Sequence, residues 1–436
     1  MGAHAWISPC TAEVNVITRR ALIRALNTRK VSEWIVVERG QESAVADEAR
    51  PLRRLDHGTR FTVVVHHDVT RGRGTAKVEL ASLHDEAIDV VDQAVNLAAT
   101  AVGPSWHSTP PAAPAKVALL DKGLETADLA EVATKLLTSL SRPVGAAVTA
   151  SIEVLRERVT VHASSGFHTG WLASSLRMSA LVVVGTGSLE ITREARRIED
   201  LGLSPALADA ARDLTSLAAA QAATPGLCAI VLRSDALLHG GSLGVWSVFA
   251  DHASAEIERR GLTRYRLRSP IAPGVDQIAE PLTITSDGAL DFATRSAPVG
   301  DEGDSVRRFA LIERGISVGL GMSMREAARR GTDPNGGVRN LVVGAGTWDG
   351  ALPARRSIDV RRLRSLSIDP YTGDASLELS LAVERDGSTE RVITGGTLRL
   401  DLVGALARAR RSSALLRRGA YVGPDAVLIE DAELLV

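Results

Sequence analysis

Gly226-Leu-Cys-Ala-Ile-Val-Leu-Arg-Ser-Asp-Ala-Leu-Leu-His239-Gly-Gly-Ser-Leu-Gly-Val-Trp246 is the stretch whose reading decides the fold. A short apolar strand, Leu227 to Leu232, leads into Ser234, whose hydroxyl suits a helix N-cap, and a helical pattern follows. That pattern puts Leu238, Val245, Phe249, His252 and Ile257 near one face and ends at Arg259-Arg260, with Gly261 as its stop. Glycines 240, 241 and 244 interrupt it. Each costs about 1 kcal/mol relative to alanine in a helix interior, so the spacing predicts a close backbone approach or a helix that begins later than Ser234.

Just before this stretch, Thr224-Pro225-Gly226 is the clearest boundary in the chain, dividing 1–224 from 225–436. On its N-terminal side, apolar residues at Val14, Ile17, Ala21, Leu22, Ala25 and Leu26 predict a helix over 14–28. The β-branched runs 33–38 and 59–66 predict strands paired in an antiparallel sheet, with another strand at 71–80. Helix is expected again from His84 to Ala101 and over 125–141, with a proline-dense connector at 103–114 between them. Strands follow at 146–163 and 179–185, then a helix-rich region over 190–220. Beyond the boundary, glycine-punctuated strands at 306–320, 340–343, 365–368 and 376–385 give way to a helix at 401–418 and a last strand at 427–436. The fold class read from this order is α+β: an N-terminal mixed helix and antiparallel-sheet domain followed by a β-rich C-terminal domain.

Composition narrows the function. The 436 residues are 45% hydrophobic, enough for at least two domains, since one core rarely grows beyond roughly 250–300 residues. Lys and Arg number 51 against 52 Asp and Glu, so the net charge of −1 leaves no electrostatic footprint for nucleic acid or an anionic membrane. The two cysteines, Cys10 and Cys228, are far apart and fit neither a disulfide framework nor a zinc module, which suits a reducing cytoplasm. No apolar run approaches the roughly 18 residues that span a bilayer.

Several motifs invite chemistry and then withhold it. Gly240-Gly-Ser-Leu-Gly244 matches the G-x-S-x-G nucleophile elbow, but the elbow needs a histidine base later in the chain, and all ten histidines lie at or before position 252. A metallopeptidase helix needs two histidines one turn apart with a glutamate beside them, whereas His239 is followed by Gly240 and, one turn on, by Leu243. His66 and His67 point to opposite faces of a strand and are expected at the surface or a sheet edge. Val184-Gly-Thr-Gly-Ser-Leu-Glu190 and Gly344-Ala-Gly-Thr-Trp-Asp-Gly350 miss the spacing of a dinucleotide loop and read as turns. Pro370-Tyr-Thr-Gly-Asp374 is also a turn, with an aromatic ring and a carboxylate available to a ligand.

The order of these features resembles the TldD/PmbA (TldE) family over nearly the whole chain. Leu311-Ile-Glu-Arg-Gly-Ile316 is similar to that family's Leu-Ile-Glu-x-Gly strand, Arg325 to Gly331 to its x-x-Ala-x-x-x-Gly helix, and Asn340 to Gly346 to its Asn-Leu-x-x-x-x-Gly. Asp291-Phe292 with Asp301-Glu-Gly303 is similar to its Phe-Asp-x-Glu-Gly passage, and Thr372-Gly-Asp-Ala-Ser376 to its Thr-Gly-Asp-Phe-Ser. The metal-bearing TldD type continues Leu-Leu-His as His-Glu-x-x-x-His and adds a later cysteine; here those positions are Gly240 and Gly244, and no cysteine follows Cys228.

The resemblance therefore implies the TldE/PmbA type: a subunit not catalytic on its own, without metal or cofactor, in a heterodimeric zinc metallopeptidase. A TldD-like partner would hold the zinc, and the substrate would be extended, unfolded or modified peptide. Tyr371, Thr372, Gly373 and Asp374 are the expected substrate-binding residues. The competing expectation is a homodimeric peptide-binding or scaffold protein without a proteolytic role.

Overall fold

The computed structural model describes residues 17–81, 87–108, 113–275 and 278–436, with backbone alone at 56 and 57. Cys10, the start of the helix expected over 14–28, His84, Pro110 and Pro111 lie outside the described residues. The described residues are α+β and build three sheets. It divides into two compact units, Met1–Gln41 with His57–Trp106 and Arg158–Gly170, and Glu42–Asp56 with His107–Glu157 and Trp171–Val436. This partition does not follow the compositional boundary at 224/225. That boundary instead separates the strands of a seven-stranded sheet from those of the other two sheets, with Gln221–Ala222 as the exception.

In the first unit, Leu22 and Leu26, one helical turn apart on Arg19–Thr28, are fully buried against Val90, Val91, Ala94 and Ala98 of the helix Ala87–Thr100. Thr18 caps the first helix by accepting from the Ala21 amide, and Arg29 ties the pair together with a forked bond to Asp92, 2.6 and 2.9 Å. Alternation along Arg53–Val69 sends Phe61, Val63 and Val65 into the same core.

His66, expected at the surface or a sheet edge, is instead fully buried on a strand paired on both sides. Its ring meets Trp106 edge-on at 5.0 Å, and its Nδ1 bonds Thr75 Oγ1 at 3.1 Å. The Arg73 guanidinium lies 4.5 Å over the same indole and pairs with Glu33 and Asp68. Periodicity alone could not reveal this, because Trp106, which covers the histidine, arrives from 40 residues downstream.

Burial, reinforced by the Arg73 charge, lowers the His66 pKa to about 4. Between that value and the ordinary 6.5 the unfolded chain binds more protons than the native one, so stability is complete above pH 6.5 and falls as the pH drops toward 4. In urea titrations from about pH 7 to about pH 4.5, the drop in midpoint is expected to be smaller for His66→Gln than for the natural chain. Equal drops would show that His66 is not the group responsible.

Within the second unit, helices Leu129–Thr138 and Leu203–Leu217 bury Leu129, Ala133, Leu207, Ala210 and Leu214 with Ile152, Val154, Leu176 and Met178. Residues 190–195, expected as helix, are strand: Gly187–Ala195 folds back on 176–184 through a two-residue connection at Gly185-Thr186. A six-stranded sheet runs in the order Ile316–Ser317, Arg308–Glu313, Ile284–Asp287, Asn340–Val343, Tyr421–Pro424, Leu415–Arg418.

The remaining sheet closes on itself. Ser357–Ile368 pairs with Gly226–Arg233 on one side and Asp374–Asp386 on the other; Thr397–Asp401 and Ala426–Leu435 complete a ring of five strands. Closure removes the open edges at which such strands would otherwise pair with other chains. The helix expected over 401–418 is confined to Leu402–Arg408, because Arg410–Arg411 and Leu415–Arg418 are drawn into pairing with the strands that follow them.

Candidate functional site

The strand Gly226–Arg233 forms as expected, with Ile230, Val231 and Leu232 fully buried between two neighbouring strands. The single long helix after it does not. Ser234–Leu237 makes one turn with Arg233, not Ser234, at the cap; a loop follows, then a short 3₁₀ turn at Gly244–Trp246 and two short helices, Ser247–His252 and Ala255–Arg259. The cause sits at Gly244. Its φ is +50°, and a Cβ placed there would lie 1.9 Å from the Leu237 carbonyl oxygen and 2.5 Å from the Leu238 Cα. The close backbone approach that the glycines suggested is what breaks the helix.

This geometry decides which chemistry the stretch can carry. His239 is half-buried, with its pKa lowered by that burial, but it has no neighbouring ligand position. Gly240 faces open space at φ +77°, and position 244 cannot accept any side chain in this conformation. Among the described residues, no group of three or more His, Cys, Asp or Glu side chains is arranged to hold a metal ion. The residues here do not fit a zinc centre. Ser242 fares no better as a nucleophile, because the following histidine, His252, is buried and bonds Thr263 Oγ1 through Nδ1 at 2.8 Å.

Of the four expected substrate-binding residues, Tyr371, Thr372 and Gly373 lie in the connection between the strands Ser357–Ile368 and Asp374–Asp386, and Asp374 opens the second strand. Asp369 shapes it. Its carboxylate accepts the amides of Tyr371 and Thr372, both at 2.8 Å, and these bonds hold its pKa below the ordinary carboxylate range. Gly373 donates to the Asp369 carbonyl at 2.9 Å, and Leu402 donates to the Gly373 carbonyl at 3.0 Å.

Gly373, at φ +75°, lies over the imidazole edge of His252: a Cβ there would be 3.5 Å from Nε2 and 2.9 Å from Val403 Cγ2. Burial is the main cause of the lowered His252 pKa; Arg264 adds to it, while Asp369 and Asp401 oppose it. With its backbone thus occupied, the turn offers solvent the half-exposed Tyr371 ring and the Asp374 carboxylate. The Asp374 carboxylate borders an open recess of about 720 Å³ lined also by Asp369, Ser376, Arg399 and Asp401 among others. The sequence pattern placed His252 on an apolar helix face but joined neither it nor Arg264 and Asp401 to this turn. Their only sequence signal was polarity next to apolar spacing, since Arg264 reaches Thr372 from 108 residues away, His252 meets Gly373 through tertiary packing, and Asp401 faces Asp374 across a strand pairing.

Comparison with known proteins agrees with this architecture. Residues 246–434 match the family model of the PmbA/TldA metallopeptidase C-terminal domain. No curated protein sequence matches the chain at a significant level. Among solved structures, a proposed modulator of a DNA gyrase from Thermotoga maritima is similar with a TM-score of 0.74 at 15% identity, covering 95% of this chain and 98% of its own. TldE from Thermococcus kodakarensis is similar with a TM-score of 0.73 at 16% identity, covering 96% and 99%. A further proposed modulator of DNA gyrase, from Bacteroides thetaiotaomicron, gives 0.74 at 14%, covering 95% and 97%. Residues 246–434 are thus similar to the C-terminal domain of PmbA/TldA metallopeptidases, in a chain that has the TldD/PmbA family fold.

Proposed function

We propose that the chain is the TldE/PmbA-type subunit of a cytoplasmic heterodimeric zinc metallopeptidase, not catalytic by itself, and that the zinc resides in a TldD-like partner. The observation that carries this reading is position 244, where the backbone excludes the second histidine of a His-Glu-x-x-x-His site. In the partner, zinc would polarise the scissile carbonyl and lower the pKa of a bound water. This chain would complete, with the partner, an internal chamber that admits only extended peptide, with unfolded or modified peptides as substrates. The test is co-expression with a neighbouring His-Glu-x-x-x-His protein: a stable pair with chelator-sensitive peptidase activity, absent from this chain alone, is expected. Self-association only, with no activity beside that protein, would favour a homodimeric scaffold.

In this reading the Tyr371–Asp374 turn lines the peptide path. The double variant Tyr371→Ala, Asp374→Ala is expected to raise KM for an unstructured peptide about tenfold in the reconstituted pair, the equivalent of about 1.4 kcal/mol of binding. Unchanged KM and turnover would remove the turn from the path.

A further inference from the structure

We infer that Arg264 is a positioning residue that fixes the Asp369–Asp374 turn in its peptide-accepting form, an inference that rests on the turn lining the peptide path as proposed above. Thr263 is buried, bonds the His252 ring at 2.8 Å and accepts the Tyr265 amide at 3.0 Å. Tyr265 is buried as well, and its hydroxyl donates to the Leu311 carbonyl of the adjoining strand at 2.5 Å. The backbone of Arg264 is therefore held between two anchored side chains, while its own side chain is 55% exposed.

From that fixed base the guanidinium reaches two acceptors through one nitrogen: Nη2 donates to the Thr372 carbonyl and to Asp401 Oδ1, the latter at 3.0 Å. The first bond fastens the turn at the residue beside Tyr371. The second neutralises a repulsion, because Asp374 and Asp401 stand directly opposite each other across an antiparallel pair, where like charges destabilise. Asp401 also caps the helix Leu402–Arg408 at Gly404, so its position is set independently of Arg264.

A half-exposed ion pair adds little to global stability. What Arg264 supplies is order in a short turn whose ring and carboxylate meet the ligand, and such preorganisation appears in affinity rather than in folding.

The test has two arms. For the chain alone, Arg264→Met keeps the aliphatic stem and is expected to speed hydrogen exchange at the amides of Thr372 and Gly373 by about tenfold or more, with Tm moved by no more than about 2 °C. For the chain paired with its metal-bearing partner, the same variant is expected to raise KM for an unstructured fluorogenic peptide about fivefold with kcat within about twofold, and Arg264→Lys to recover part of the loss.

Unchanged exchange overturns the inference outright, since Arg264 then does not hold the turn. Faster exchange with unchanged KM overturns the link to binding. The Tyr371→Ala, Asp374→Ala variant then locates the fault: if its KM rises, the turn binds peptide without needing Arg264. If its KM is also unchanged, the turn is not on the peptide path and the reading beneath the inference falls with it.

Discussion

Gly244→Ala is expected to destabilise the fold by about 3 kcal/mol or more, well above the usual cost of adding one methyl group. Two terms act together. The residue's φ of +50° lies in a region that L-side chains rarely adopt, and the added Cβ would lie 1.9 Å from a carbonyl oxygen and 2.7 Å from its carbon. Neither can be relieved by rotating a flexible side chain, because the atoms in the way are the backbone of Leu237 and Leu238.

The surroundings are equally unyielding. Leu237, Val245 and Trp246 are fully buried, and the Trp246 indole is stacked near Phe249 at 6.1 Å and Tyr421 at 5.9 Å. Moving Gly244 would move one of the largest apolar groups in that core. Chemical denaturation of Gly244→Ala measures the effect directly, and a loss below about 1 kcal/mol would mean that the loop relaxes elsewhere. The pair Gly240→Glu, Gly244→His extends the test: it writes back the His-Glu-x-x-x-His pattern, yet it is expected to yield misfolded protein without stoichiometric zinc. A folded variant that binds one zinc would show that the backbone here can be rebuilt into a ligand-bearing helix.

That position also shows where the sequence could and could not be read. The strands were legible because burial on one or both faces imposes a pattern of period two or an unbroken apolar run, as in 226–233 and 374–386. Helices were legible where an apolar stripe coincides with a cap, as at Asp128 before Leu129–Thr138. The pattern after Ser234 carried the same helical spacing, but one glycine with a carbonyl packed onto its Cα overrode it. Residues 410–418 likewise hold helix-forming arginines and leucines, yet partners arriving from 421–435 draw them into strands.

The turn at 370–374 could be located from its composition. Its supports could not, since Arg264 and Asp401 are brought to it by tertiary structure, and so is Trp106 to His66.

The same limit hides the residue for which the second large effect is expected. Asp235 lies in the Ser-Asp entry to the Leu-Leu-His segment and reads as an ordinary first-turn acid, but three guanidiniums converge on it: Arg193 at 2.9 Å, Arg362 at 2.6 Å and Arg418 at 2.5 Å. Arg362 is held in turn by Asp213 at 2.6 Å, and the side chains of Arg362, Asp213, Asp235 and Arg193 are all no more than 14% exposed.

Burial pushes the Asp235 carboxyl upward, yet the Arg362, Arg193 and Arg418 charges outweigh it and leave its pKa below the ordinary value. Asp235→Ala leaves three cations facing one another with only Asp213 between them, and removing one partner of a buried ion pair costs about 3–5 kcal/mol, far more than an exposed pair. The loss should divide unequally among substitutions. Asp235→Asn keeps the shape and one acceptor but removes the charge, so it isolates the electrostatic part, whereas Asp235→Glu is expected to recover little because the added methylene displaces the carboxylate from all three partners.

Coupling provides the sharper check. In Arg418→Met the removal of Asp235 is expected to cost less than it does in the natural chain, because one of the stranded charges is already gone. Additive losses in that double-mutant cycle would mean that Arg418 and Asp235 do not share one charge-balanced cluster.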